Sequence, residues 1–189
     1  MSVITKTGDR GNTIDFTGAQ TSKAGINVEL SGAFDAAQSA LGFAIVEARH
    51  PGLSDAGGAN NLRGCSVTHI AGVLVEQQRA LFACVGELAG RADFDPDGRR
   101  MAALDDCASK LDERVAPEGF ILPGGSELAA RIDLARVAVR TCERQAVAAR
   151  KSGLAVSDSV LAYLNRLSDF LFLAARLANA SLGVEETAA

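Results

Sequence analysis

Apolar residues recur three and four positions apart through most of the chain beyond residue 26, while strict alternation is hard to find, so the pattern predicts helices. A first helix is expected from about Asn27 to about Ala48, with Asn27 as N-cap and Val28, Leu30, Phe34, Ala37, Leu41 and Ile45 forming its stripe. The stretch from His50 to Arg63, with Pro51 and several glycines, breaks it. A second helix follows from about Thr68 to Arg91, with Ile70, Leu74, Leu81, Val85 and Leu88 turned inward. Asp95-Pro96 reads as an N-cap and first-turn proline of a third helix ending near Val115. Ser126 caps a fourth, running to about Arg150, whose Leu128, Ile132, Ala135, Val139, Cys142 and Ala146 trace the seam of a bundle. Ser157 or Asp158 opens a fifth, reaching about Leu182.

Two segments fall outside this periodicity. Residues 1–25 are rich in Gly, Thr and Asp and predict loop or turn, and residues 184–189 are expected to fray. Residues 117–125, P-E-G-F-I-L-P-G-G, cannot be helical throughout, because Pro123 restricts Leu122 and two glycines follow. They form a loop displaying Phe120, Ile121 and Leu122. The expected architecture is all-α: a five-helix bundle over residues 26–183 behind an N-terminal loop.

Composition narrows the partners. A chain of 189 residues suits one domain. The net charge is -4, and its 19 basic residues are spread among 23 acidic ones, so no basic patch invites nucleic acid. The N-terminus has no apolar targeting core and no apolar run approaches the ~18 residues of a membrane span, which together predict a soluble, cytoplasmic protein. The cysteines, Cys65, Cys84, Cys107 and Cys142, form no C-x-x-C pair, and His50 and His69 lack a partner at metal-ligand spacing.

The candidate chemistry lies on the last two helices. Residues 160–178 set Asn165, Arg166, Asp169 and Arg176 into a segment that otherwise reads as buried, where polar groups need partners. An ion-pair network and a ligand site explain that equally well. On the fourth helix Arg136, Arg140, Glu143 and Arg144 share one side. Arginine forks suit polyphosphate, although a solvated charged face is the simpler explanation of this helix alone.

Other features are weaker singly. T-K-T-G-D-R-G-N-T at residues 5–13, with Lys6 and the more distant Lys23, offers backbone and hydroxyl donors for phosphate but lacks the Walker A spacing; a flexible terminus explains it as simply. Asp35, amid small and apolar neighbours, would need a cation if inward, with an arginine of the fourth helix as candidate, or is half-exposed. Phe120 is a core plug or an apolar lid, and the residue alone favours the plug.

In combination these motifs are specific. T-K-T-G-D-x-G-x-T, the G-x-x-D of residues 32–35, Q-x-x-L-F-x-x-x-G-x-L-A of residues 78–89, F-I-L-P-G-G, A-R-x-x-x-R-x-x-E-R and Y-L-N-R-L-S-D-x-L-F-x-x-A-R occur in order along nearly the whole chain. Together they resemble the PduO-type ATP:cob(I)alamin adenosyltransferases.

That resemblance implies a homotrimer of ferritin-like five-helix subunits with active sites between neighbours. It implies transfer of the 5'-deoxyadenosyl group of ATP to cob(I)alamin, giving adenosylcobalamin and triphosphate. Thr5, Lys6, Thr7, Gly8, Thr13 and Lys23 match the ATP-wrapping loop, and Arg140, Glu143, Arg144 and Asn165 complete the nucleotide site. Mg2+ would neutralise triphosphate oxygens. Phe120 matches the phenylalanine below the corrin that displaces the dimethylbenzimidazole ligand and favours four-coordinate Co(II). Asp35 and Arg136 match an intersubunit salt bridge. A reductase supplying Co(I) and an adenosylcobalamin-dependent acceptor enzyme would be partners. Arg166 and Asp169 are expected to form a local network that holds Asn165.

The departures from the family pattern fall mainly on the fourth helix. Asp133 stands where the family usually has histidine and Thr141 where it usually has arginine, while Ala36 replaces a common acidic residue. Lost positive charge near triphosphate would weaken ATP binding or slow turnover. A non-catalytic paralogue holding adenosylcobalamin or ATP as carrier or sensor is the alternative these changes suggest.

Overall fold

The computed structural model describes residues 4, 6–50 and 67–189. Thr5 and Cys65, and nearly all of the break expected between the first two helices, lie outside the described residues. Five helices occur among the described residues: α1 (Ile26–Ala48), α2 (Val67–Leu88), α3 (Arg99–Val115), α4 (Glu127–Lys151) and α5 (Asp158–Ser181). The all-α expectation holds, with one addition. Residues 12–22 form a small antiparallel hairpin, β1 (Asn12–Ile14) paired with β2 (Gln20–Ser22), too short for alternation to betray it.

Helix α4 lies between α1 and α5, α2 packs on α1, and α3 packs on α5. The seam predicted on α4, from Leu128 to Ala146, is wholly buried, as are Leu30, Phe34, Ala37, Leu41 and Ile45 of α1; Val28 is half-buried. Each fully buried Leu, Ile or Phe contributes roughly 1.5–3 kcal/mol, so these seams carry most of the stability. Tyr163 of α5 adds a polar tie, its hydroxyl donating to Gln77 Oε1 at 2.7 Å.

Two caps follow the sequence and two do not. Ser126 and Ser157 accept from the amides of Ala129 (3.2 Å) and Val160 (3.1 Å). Helix α1 is capped by Gly25, without a side-chain bond, and Asn27 turns away to Asp15 Oδ2 at 2.8 Å. Helix α3 begins at Arg99 after Gly98, whose left-handed φ of 69° makes the turn. Asp95 still serves that end from a distance, accepting from the amides of Arg100 (3.0 Å) and Met101 (2.9 Å).

The C-terminal residues, expected to fray, are pinned. Ile121 and Ala188 form an antiparallel bridge, the Leu122 amide donates to Thr187 O at 2.8 Å, and the Ala189 amide to Phe120 O at 3.0 Å. Residues 187–189 therefore lie extended beside the Phe120 loop, bridged to it at one position.

Candidate active site

Helices α4 and α5 run side by side, and the face left open between them and α3 carries the polar residues. Of the four on α5, only Arg176 is buried, at 2% exposure; Asn165, Arg166 and Asp169 are exposed in the single chain. The reading of that stripe as buried is thus corrected. The apolar residues of α5 turn the other way, against α4 and α3, and the polar residues line an open trough.

Two cavities occupy the trough. The larger, of about 690 Å³, is lined by Phe120, Arg136, Arg140, Arg166, Asp169 and Phe172, among others. The smaller, of about 320 Å³, is lined by Arg140, Glu143, Arg144, Val147 and Asn165. Arg140 borders both. Four of the nucleotide-site residues expected from sequence are thereby brought together, and Asn165 Nδ2 reaches Glu143 Oε1 at 3.4 Å. Thr141 accepts from Arg144 Nη2 at 3.0 Å while donating to Val137 O at 3.1 Å, so the residue standing in for arginine steadies the next one.

Arg166 does not pair with Asp169. Its Nε meets Asp105 of α3 at 3.2 Å, which ties α5 to α3 instead. Phe120 is 92% exposed at the edge of the larger cavity, so the core-plug reading is wrong. Asp35 is exposed and has no ion-pair partner among the described residues, whereas Arg136 pairs within its own chain with Asp133 at 3.2 Å.

Asp133 is the residue whose role sequence reasoning misjudged. It is buried at 4% exposure behind the Phe120 loop and lines neither cavity. Its carboxylate accepts from Arg136 Nε, from Arg176 Nη2 at 3.1 Å and from the Gly124 amide at 3.1 Å. That negative charge is answered on the spot by two guanidiniums, of which Arg136 also lines the larger cavity, while Arg140 and Arg144 are not among its partners. Asn179 and Glu186 extend this network and were missed. The signal for Asn179 was available: residues 165, 169, 172, 176 and 179 recur at offsets of four and three along one face of α5.

The N-terminal loop forms its own unit. Lys6 adopts left-handed backbone with φ 57°, uncommon for a residue with a side chain. Lys23 Nζ would lie 3.1 Å from a Cβ at Gly8, so the glycine leaves room for the ammonium. Thr13 is half-buried in β1, and Thr7 is exposed. Asp15 holds the hairpin closed, accepting from Thr17 N (2.9 Å), Thr17 Oγ1 (2.5 Å) and Ala19 N (3.2 Å). Hydrogen bonds from the Thr17 hydroxyl and the Asn27 amide lower its pKa. No described residue of this loop lines either cavity of its own chain.

No group of three or more His, Cys, Asp or Glu that could hold a metal occurs among the described residues. Among the described residues Glu143 is the one carboxylate lining the smaller cavity, and so the one anionic side-chain oxygen there for a cation.

A helical bundle with an arginine- and carboxylate-lined trough beside an exposed phenylalanine defines a class, and comparison with known proteins gives the family. Residues 3–178 match the model of the cobalamin adenosyltransferase family. The chain is 36% identical over 192 residues to a corrinoid adenosyltransferase of Bacillus subtilis, covering 97% of this chain and 90% of that one. It is 32% identical to the corrinoid adenosyltransferase PduO of Citrobacter freundii, of which it spans 49%. Among solved structures, a variant of the PduO-type ATP:corrinoid adenosyltransferase from Lactobacillus reuteri complexed with cobalamin and ATP superposes with a TM-score of 0.81 at 27% identity, covering 100% of this chain and 99% of that one. The chain belongs to the cobalamin adenosyltransferase family.

Proposed function

We propose that this chain transfers the 5'-deoxyadenosyl group of ATP to cob(I)alamin. The observation that carries this reading is the position of Arg140 on the border of both cavities, one lined by nucleotide-type donors and the other edged by an exposed phenyl ring. Two substrates bound on either side of that arginine would meet there. The Co(I) electron pair attacks C5' of ATP, the Co–C bond forms, and the C5'–O bond breaks with its electrons leaving on triphosphate.

No side chain need act as nucleophile or base in this reaction. The protein must align the partners and stabilise the leaving charge. Arg140 and Arg144 supply planar donor forks, Asn165 is steadied by Glu143, and Thr5, Lys6, Thr7, Gly8, Thr13 and Lys23 supply loop donors. Magnesium, held by phosphate oxygens and Glu143, would neutralise part of the triphosphate. Phe120 would lie under the corrin and exclude its lower axial ligand.

The same reading makes the protein a homotrimer. The N-terminal loop, whose described residues line neither cavity of their own chain, closes over the trough of a neighbouring subunit. Exposed Leu134 and Val137 on α4 offer apolar surface for that contact, and exposed Asp35 would supply Arg136 of a neighbour with a second carboxylate beside Asp133 of that neighbour's own chain. A reductase supplies Co(I), and an adenosylcobalamin-dependent enzyme takes the product. Among the described residues no helix is long and apolar enough to cross a membrane, and we place the reaction in the cytoplasm.

The test is direct. Purified protein mixed anaerobically with ATP, magnesium and chemically reduced cob(I)alamin should give the light-sensitive spectrum of adenosylcobalamin. Absence of that product overturns the assignment, and tight adenosylcobalamin binding without turnover would favour a carrier or sensor.

A further inference from the structure

Phe120 presents a physical problem. An apolar ring that is 92% exposed is fixed by no packing of its own, and the segment that carries it ends in Pro123, Gly124 and Gly125, the last two at left-handed φ of 115° and 96°. The loop needs outside support to hold the ring in one place.

That support comes from two sides. Residues 120–122 are hydrogen-bonded to the strand of residues 187–189, through Leu122 N to Thr187 O at 2.8 Å and Ala189 N to Phe120 O at 3.0 Å. Residues 124–126 are held by α5 and α4. Asn179 Nδ2 donates to Gly124 O at 2.8 Å, Asn179 Oδ1 accepts from Ser126 N at 2.8 Å, and Asp133 accepts from Gly124 N. A Cβ at Gly125 would lie 2.7 Å from the Asn179 amide, so the fit leaves no room for another residue.

Glu186 joins the two sides. Its Oε1 accepts from Arg176 Nε and, at 2.9 Å, from Asn179 Nδ2. Arg176 is buried beneath the loop and needs counter-charge, which Asp133 supplies from one side and Glu186 from the other. The buried guanidinium thus gives residues 186–189 a reason to dock where they do.

We propose that residues 186–189 are a clamp that sets the position of Phe120, with Glu186 as its positioning residue. This rests on the reading of Phe120 given above. Docked, the strand holds the phenyl ring at the cavity edge; released, the glycine-hinged loop leaves the ring without a fixed place under a corrin. The clamp therefore acts on formation of four-coordinate Co(II) and leaves the nucleotide cavity, which contains none of these residues, unaffected.

The experiment uses the full chain with two substitutions, Glu186→Gln and Ala189→Pro. The second removes one backbone donor and leaves every buried charge in place. Glu185→Gln, an exposed neighbour, is the control for charge. With ATP and cob(II)alamin bound, paramagnetic resonance reads the four-coordinate fraction, amide exchange at Leu122 reads the docking of the strand, and calorimetry reads ATP affinity. Both variants should exchange Leu122 about tenfold faster, lose most of the four-coordinate signal and react from Co(II) roughly ten- to a hundredfold more slowly, with unchanged ATP affinity. Variants that keep the wild-type signal overturn the clamp alone. A wild type without that signal overturns the reading of Phe120, and this role for the clamp with it.

Discussion

Asp133 Oδ2 and Arg176 Nη2 lie 3.1 Å apart between α4 and α5, with side chains only 6% and 2% exposed. Two such charges are costly to bury singly and are tolerated because each meets more than one partner. Removing one therefore strands the other. Asp133→Ala should destabilise the fold by about 3 kcal/mol, lowering the melting temperature by about 6–12 °C. Asp133→Asn, which can still accept from the Gly124 amide, should cost less. Equal thermal melts of wild type and Asp133→Ala would contradict the pairing.

Arg140 serves both cavities, so its loss should be felt on both substrates. Arg140→Lys keeps the charge and loses the planar fork, a loss of roughly 1.5–3 kcal/mol if charge-assisted bonds to triphosphate are broken. Steady-state kinetics should show kcat/KM for ATP falling by about ten- to a hundredfold, with a smaller rise in KM for the corrinoid. Asn165→Ala, which touches the smaller cavity alone, should raise KM for ATP and leave the corrinoid KM as it was. The same profile for both variants would place Arg140 in the nucleotide site only.

Phe120→Ala separates the two halves of the reaction. Chemically supplied Co(I) needs no help with reduction, so the variant should turn over nearly as the wild type does from that state. Starting from Co(II), where an axial ligand opposes reduction, it should be slower by at least about tenfold. Stopped-flow spectra from both oxidation states give the comparison, and equal rates from Co(II) would remove the ring from the mechanism.

The helices and the α4 seam were legible because each residue's position on a helix face follows from spacing alone. The grouping of Arg140, Glu143 and Arg144 on one side of α4 was legible for the same reason, whereas Asn165 of α5 was joined to them only by the family resemblance, which also supplied the nucleotide role proposed for them. What spacing could not give was depth. Asn165 and Asp169 sit on α5 among the same apolar neighbours as Arg176, yet only Arg176 is buried, because the Gly124 loop and Glu186, both distant in sequence, come to lie against its end of the helix. Asp133 looked like a lost cation because its partners, Arg176 and the Gly124 amide, are 43 and 9 residues away in sequence. Glu186 was discounted as part of a frayed end, since nothing local announces a strand pairing with residue 121.

Asp15 makes the N-terminal hairpin a pH-dependent element. Its carboxylate accepts from Thr17 and, at 2.8 Å, from Asn27 of α1, and these bonds lower its pKa below the ordinary aspartate value of 3.8. A group depressed in the folded state contributes stability above its unfolded pKa and loses it as pH falls through the lower folded value. Docking of the hairpin onto the start of α1 should therefore be complete at neutral pH and at pH 5, and weaken only below the ordinary carboxylate range. Side-chain amide resonances of Asn27 followed by NMR should titrate at that depressed value, and Asp15→Asn should abolish the transition. A midpoint at or above the ordinary aspartate value would show that the bonds from Thr17 and Asn27 do not persist in solution.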